Sequence, residues 1–307
     1  MAKEAYWIKR ERDHINKSIK DDKIIVKKLQ QNYDRALNEI TKEIDAFYSK
    51  YAAKEGISMA DAIKKVKQSD TRAFASKAKK YVEEKDFSPK ANEQLRLYNL
   101  TMKVNRLEML KADIGLELTA MSNDEEKIMR TALEKNVYDE FERQAGILGE
   151  TVLNNQKTIQ DIVNASFQNA TFSERVWSNQ DALKAELDKL LSRGMIQGKN
   201  PRVLAREIKK TFGVSTRQSE RLMVTELART QTSAQERAFK EDECEEYGWA
   251  IEPTACPICK AMEGKVFKVK DMQVGVNAVP VHPHDRCSHF AIVDREAFEA
   301  DLTSRGL

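Results

Sequence analysis

Only two prolines, Pro89 and Pro201, interrupt the first 248 residues, whereas Pro253, Pro257, Pro280 and Pro283 crowd the stretch that follows. Each of the first two follows a capping residue, Ser88 or Asn200. A cap followed by proline at the first helical position starts a helix, because the missing N–H has no intrahelical partner there anyway. The body of the chain is therefore free of helix-breaking proline, and long helices are its natural solution. Charged residues at 33%, aromatics at 7% and 11 glycines in 307 residues agree with polar-faced helices. A β-sandwich or barrel would need far more frequent Gly/Pro turns. The 41% of hydrophobic residues suffice for a core. No apolar run approaches the roughly 18 residues of a membrane span. The charged start MAKEAYWIKRER lacks an apolar signal core, so a soluble, cytoplasmic product is expected.

Apolar residues mark the helices. Val26, Leu29, Tyr33, Leu37, Ile40, Ile44 and Phe47 recur at steps of three or four and place the first 50 residues in one helix. Gly56 breaks the pattern, and Ser58 with Asp61 reads as the cap of a shorter helix. After Ser88-Pro89, the residues Leu97, Leu100, Val104, Leu107, Ile114, Leu118 and Met121 form a heptad-like stripe. The two stripes suit an antiparallel hairpin or pairing with other chains. Further helices are expected at about 124–145, 155–168, 179–193, 201–212 and 216–242, with Gly213 ending the fourth. From Trp249 onward the texture changes to short β-prone pieces, Trp249–Ile251, Val266–Val269 and Phe290–Val293. The expected fold is mainly α: an elongated helical body, made of a long hairpin plus shorter helices, with a small C-terminal α+β segment. Three regions follow, a long-helix body at 1–150, a helical core at 151–248 and a Cys/His-rich segment at 249–307.

The net charge of +3 conceals segregation. Lys64, Lys65, Lys67, Arg72, Lys77, Lys79 and Lys80 face a single acid, Asp70. A second cluster, Lys199, Arg202, Arg206, Lys209, Lys210, Arg217 and Arg221, faces only Glu207 and Glu220. Such clusters neutralise phosphates without reading sequence, although a Lys-rich helix face is commonly just solvated. Lys64, Lys65, Lys67, Arg72, Lys77, Lys79, Lys80, Arg202, Arg206, Lys209 and Lys210 are the candidate nucleic-acid contacts.

Cys256-Pro257-Ile258-Cys259 holds two thiols at the spacing of a zinc knuckle. His282-Pro283-His284-Asp285-Arg286-Cys287-Ser288-His289 brings three of the four histidines and a third cysteine into eight residues. Cys256, Cys259, Cys287 and one histidine make a Cys₃His set. His282, followed by a rigid proline, is the first choice, with His284 and His289 as the other candidates. A structural zinc suits a segment too small for a core of its own. Buried cysteines also pack as ordinary core, and CxxC can be a redox pair. Catalytic signatures are absent from the sequence: HExxH, GxSxG, GxGxxG, a P-loop, or an H-x-E ahead of P-C-x-x-C. The chain is expected not to be an enzyme. The alternatives are a metal-dependent hydrolase or nuclease centred on His282–His289, and a coiled-coil scaffold or adaptor.

Residues from Arg221 to about Val293 resemble the phage head-morphogenesis family, minor capsid proteins similar to protein F of phage Mu. The resemblance is carried by Val224-Thr225-Glu226-Leu227-Ala228-Arg229, Tyr247-Gly248-Trp249, Cys256-Pro257-Ile258-Cys259, Glu263-Gly264-Lys265-Val266-Phe267 and His282-Pro283-His284-Asp285-Arg286-Cys287, in that order. Asp285 stands where the family has the first cysteine of C-R-C, which leaves Cys256, Cys259, His282 and Cys287 as the ligand set, with Asp285 able to act as an oxygen ligand. The arginine that precedes the family's threonine is also missing. The resemblance implies a minor head protein of a tailed phage, located in the virion at the head interior or portal vertex and in the host cytoplasm during assembly. Its implied partners are the portal protein, other head or scaffold proteins and the packaged double-stranded DNA, with no membrane.

Overall fold

The computed structural model describes residues 2–51, 106–148, 156–196 and 200–292. In chain order these form helices α1 (Ala2–Tyr51), α2 (Arg106–Leu148), α3 (Gln156–Val163), α4 (Phe172–Ile196) and α5 (Pro201–Glu241), then strand β1 (Glu246–Ala250), a short helix α6 (Pro257–Lys260), β2 (Val266–Lys268) and β3 (Ser288–Ile292). The sheet is antiparallel in the order β2-β1-β3, with Tyr247 opposite both Phe267 and Ala291. The expected class, mainly α with a small C-terminal β-containing segment, is what the chain adopts. The Gly56 break, the cap at Ser58 and Asp61, the Ser88-Pro89 start and Leu97, Leu100 and Val104 lie outside the described residues.

Two helix ends were expected where none exists. The stripe ending at Met121 and the helix expected at about 124–145 are one helix, since α2 runs through Ser122 and Asn123 unbroken. The side chains of Ser122 and Asn123 face inward and are buried, so they serve a polar layer of the core. Gly213 likewise does not end α5. A helical glycine costs only about 1 kcal/mol, which apolar burial of Phe212, Ile208 and Leu204 of the same helix offsets. The Asn200-Pro201 start forms as expected, with the backbone N–H of Arg202 donating to Asn200 Oδ1 at 2.9 Å.

The chain divides into two compact units, each built from non-consecutive stretches. One comprises Lys27–Ile128 and Ser173–Ser219. There the two apolar stripes meet in one core, Tyr33, Ala36, Ile40 and Ile44 with Leu107, Leu110, Ile114, Leu118 and Met121. Leu183, Leu187 and Leu191 of α4 and Leu204, Ile208 and Phe212 of α5 complete it. The stripes are thus satisfied within the chain by two further helices. The other unit comprises Met1–Val26, Met129–Phe172 and Glu220–Leu307. In its core the sheet residues Tyr247, Trp249 and Ala291 pack with Ala228 and Phe239 of α5 and with Val269, Met272 and Val279. Ile15 of α1 packs on Ala250 and Phe290, flanked by Trp7, Ile8 and Ile19. Gly248 is required at the centre of β1, because a Cβ there would lie 2.6 Å from the Phe290 ring.

Within the first of these units, Tyr33 donates its hydroxyl to Glu125 at 2.8 Å, and Asn32 donates to the Met121 carbonyl at 2.7 Å. Burial pushes the Glu125 pKa up to about 7, against the lowering effect of the Ser219 and Tyr33 hydroxyls. The folded state therefore favours protonated Glu125. Its stabilising effect is complete below the unfolded-state pKa of about 4.3 and is lost as pH rises through about 7. That difference corresponds to about 3 kcal/mol. Urea unfolding of wild type and Glu125→Gln is expected to show a stability difference that changes by about this amount between pH 4 and pH 8, against wild type at the higher pH. A pH-independent difference would contradict it.

Candidate functional site

The C-terminal cluster is assembled by a helical knuckle and a tight loop. Cys256 immediately precedes α6, and the backbone N–H of Lys260 donates to the Cys256 carbonyl at 3.0 Å. This single turn sets the two sulfurs 3.8 Å apart. His282 Nε2 lies 3.2 Å from Cys256 Sγ and 3.1 Å from Cys259 Sγ. Its Nδ1 lies 2.8 Å from the Pro283 carbonyl. A carbonyl only accepts, so the proton sits on Nδ1 and the Nε2 lone pair faces the sulfurs, the arrangement that orients a metal-ligating imidazole. Cys287 and Asp285 form a second group with Cys259, their ligand atoms lying within 4.8 Å of one another. Cys259 is common to both groups, which places Cys287 and Asp285 beside the Cys256, Cys259 and His282 group.

The electrostatics of this place favour a cation. The N–H groups of Cys259 and Ile258, at the start of α6, pull the Cys256 thiol down. Burial, reinforced by Asp285, pushes the thiols of Cys259 and Cys287 up. Asp285 is itself fully buried. Arg286 forms an ion pair with Asp22 (2.8 Å). Asp285 accepts the backbone N–H groups of Val281 and Cys287. A divalent ion bound by the adjacent sulfurs would place a further positive charge beside this buried carboxylate.

Each remaining residue of the loop has a different occupation. His284 adopts a left-handed backbone (φ 64°), and its N–H donates to Thr225 Oγ1 on α5 at 3.3 Å. Its side chain is exposed and apart from the sulfurs. Ser288 donates to Glu11 at 3.0 Å. His289 is buried against Tyr247 and Trp249, with Nε2 accepting from the Val279 N–H. Tyr247 and Trp249 both donate to the Asn277 carbonyl at 3.1 Å, which ties down the loop before Val279. Gly264, with φ 73°, makes the turn into β2.

The Thr225-Glu226-Ala228-Arg229 block is structural. Thr225 donates to the Arg221 carbonyl while receiving His284. Arg229 pairs with Glu226 at 2.6 Å, both buried, and donates to the carbonyls of Ile162 and Val163. Those carbonyls are the orphan acceptors at the end of α3. The sequence showed the block but not this use, because the partner helix lies more than 60 residues earlier.

Of the candidate nucleic-acid contacts, Lys64, Lys65, Lys67, Arg72, Lys77, Lys79 and Lys80 lie outside the described residues. Arg202, Arg206, Lys209 and Lys210 are exposed on α5, as is Arg217. At about 100° per residue these five fall within an arc of about 100°, a stripe about 22 Å long. No helix among the described residues is long and apolar enough to cross a membrane.

Residues 185–290 match the model of the family described as phage Mu protein F like protein. The match contains every motif on which the resemblance rested. No curated protein and no solved structure matches the chain.

Arg229→Ala would remove the buried cation that faces Glu226 and strip the end of α3 of the Arg229 donors. A loss of about 3–5 kcal/mol in unfolding free energy is expected, as for other buried pairs broken on one side. Denaturant titration measures it, and a loss below about 1 kcal/mol would show that the pair does not hold α3 to α5.

Proposed function

We propose that this chain is a non-enzymatic minor head protein of a tailed phage, acting in head assembly or genome delivery at the portal vertex. The observation that carries the reading is the family match over residues 185–290, whose motifs all have a place in the folded chain. The partners in this reading are the portal protein, other head proteins and, through exposed basic faces, the packaged double-stranded DNA. The family relation supports partners among phage head proteins and a place in the virion; the portal and DNA are the finer assignment. Co-purification of the full chain with portal protein tests it, and absence of any association with the portal at low salt would overturn it.

The DNA contact in this reading uses the α5 stripe. Binding would be independent of sequence and weaken as salt rises, since phosphate neutralisation releases counterions. Replacing Arg202, Arg206, Lys209 and Lys210 together by Gln is expected to flatten the slope of log affinity against log salt by up to about 3.6, at about 0.9 per phosphate contact. An unchanged slope would remove the stripe from the interface.

The C-terminal cluster is, in this proposal, a structural zinc site held by Cys256, Cys259, His282 and Cys287. The set is three soft thiolates and one imidazole, which suits tetrahedral zinc. Bound there, zinc would supply a cross-link between α6 and the loop at 282–287, and not an open position for chemistry. One zinc per chain is expected from metal analysis of protein purified without chelator. Chelation is expected to lower the thermal midpoint, with Cys256→Ala and Cys287→Ala doing the same. Protein that is fully folded and metal-free would overturn the site.

A further inference from the structure

Asp285 is a fully buried acid in the loop that carries His282 and Cys287. Its Oδ2 accepts the backbone N–H of Val281 at 3.0 Å, and its Oδ1 accepts that of Cys287 at 3.1 Å. One carboxylate thereby bridges the first and last residues of the loop that carries His282 and Cys287. The loop closes on itself a second time through the Asp285 N–H, which donates to the His282 carbonyl at 3.2 Å. The tip is fixed from outside by His284 on Thr225 and by Arg286 on Asp22. With the carboxylate removed, two buried N–H groups flanking the two donors would lose their acceptor.

We infer that Asp285 is a positioning residue standing outside the coordination sphere, and that its bridge between Val281 and Cys287 sets the separation of His282 and Cys287 for the metal. The inference rests on the zinc reading of the cluster and adds what the acid at the departure from the family pattern does. Both oxygens already serve as acceptors for the loop backbone. In the zinc reading, Cys256, Cys259, His282 and Cys287 would supply the four donors of a tetrahedral set without them. A closed site of this kind has no vacant position for a water or a substrate.

The test is cobalt(II) substitution of the full-length chain, compared among wild type, Asp285→Asn and Asp285→Ala. Wild type is expected to take up one cobalt per chain, with thiolate charge-transfer bands and the d–d bands of tetrahedral coordination. If wild type binds neither cobalt nor zinc, the zinc reading itself fails, and this result is separate from any effect at Asp285. For the variants, the positions and intensities of the bands are expected to stay those of wild type. Metal retention against a competing chelator is expected to fall by about 10–100-fold in Asp285→Ala, as for loss of other outer-shell partners. Asn retains one acceptor oxygen, so Asp285→Asn should fall between the two. Bands that move or collapse in Asp285→Asn would make Asp285 a ligand and overturn the inference. Wild-type retention in both variants would overturn it as well. Circular dichroism identifies a variant that fails to fold, and Asp285→Asn decides the matter if Asp285→Ala does so.

Discussion

The carboxylate of Glu11 is the interaction on which the C-terminal sheet depends. It is buried near the start of α1, and one oxygen receives Arg143 of α2 while the other receives the Ser288 hydroxyl of β3. Burial raises its pKa, and Arg143 acts against that rise. Arg143 also reaches Glu140, which in turn accepts from Gln144. On the strand side, Gln231 and Gln235 of α5 both donate to Ser288 Oγ. Because Val279 donates to His289 Nε2, the other ring nitrogen must carry the proton and donate to Gln235 Oε1. Burial lowers the His289 pKa to about 3, so the ring is neutral at ordinary pH. Every donor in this chain of bonds has one acceptor, and a network so directed fixes strand register in a way apolar packing does not.

This network explains why the short strands hold their place. A three-stranded sheet with a three-residue edge strand has little stability of its own. Here β1 and β3 lie against Ile15 of α1 on apolar terms and against Glu11 on polar terms, and Arg286 reaches Asp22 on the same helix. Residues 11, 15 and 22 are spaced by four and seven, the period of one helical face. The first 26 residues of α1 are thus the surface on which the sheet is built.

Much of this was legible. The strands appear within two or three residues of the β-prone pieces around Trp249, Val266 and Phe290. The two apolar stripes, the Asn200 cap and the cysteine knuckle also follow from local pattern. What escaped was decided by partners distant in sequence. The separate helix expected at about 124–145 joins the preceding stripe because Ser122 and Asn123 between them are buried beside Tyr33 and Glu125. The three histidines of the loop are equivalent by spacing. They separate only because His284 takes a positive φ with its N–H on Thr225, while Gln235 and Val279 enclose His289, leaving His282 for the sulfurs. Glu11 and Asp22 carried no signal at all, since a buried acid and a solvated one look alike in a helix of alternating charges.

The family-matched stretch is therefore not a free-standing module in this chain. It covers residues 185–290, of which 185–219 belong to one compact unit and 220–290 to the other. The second part obtains from outside the match the acids that meet Ser288 and Arg286, the apolar cover of Phe290, and the α3 carbonyls that receive Arg229. Arg229 and Arg286 are both buried cations, and in the matched segment alone Arg229 would lose the α3 carbonyls and Arg286 would lose Asp22. The long helices are thus a structural condition for the Cys/His-rich end, whatever surfaces they also offer to partners.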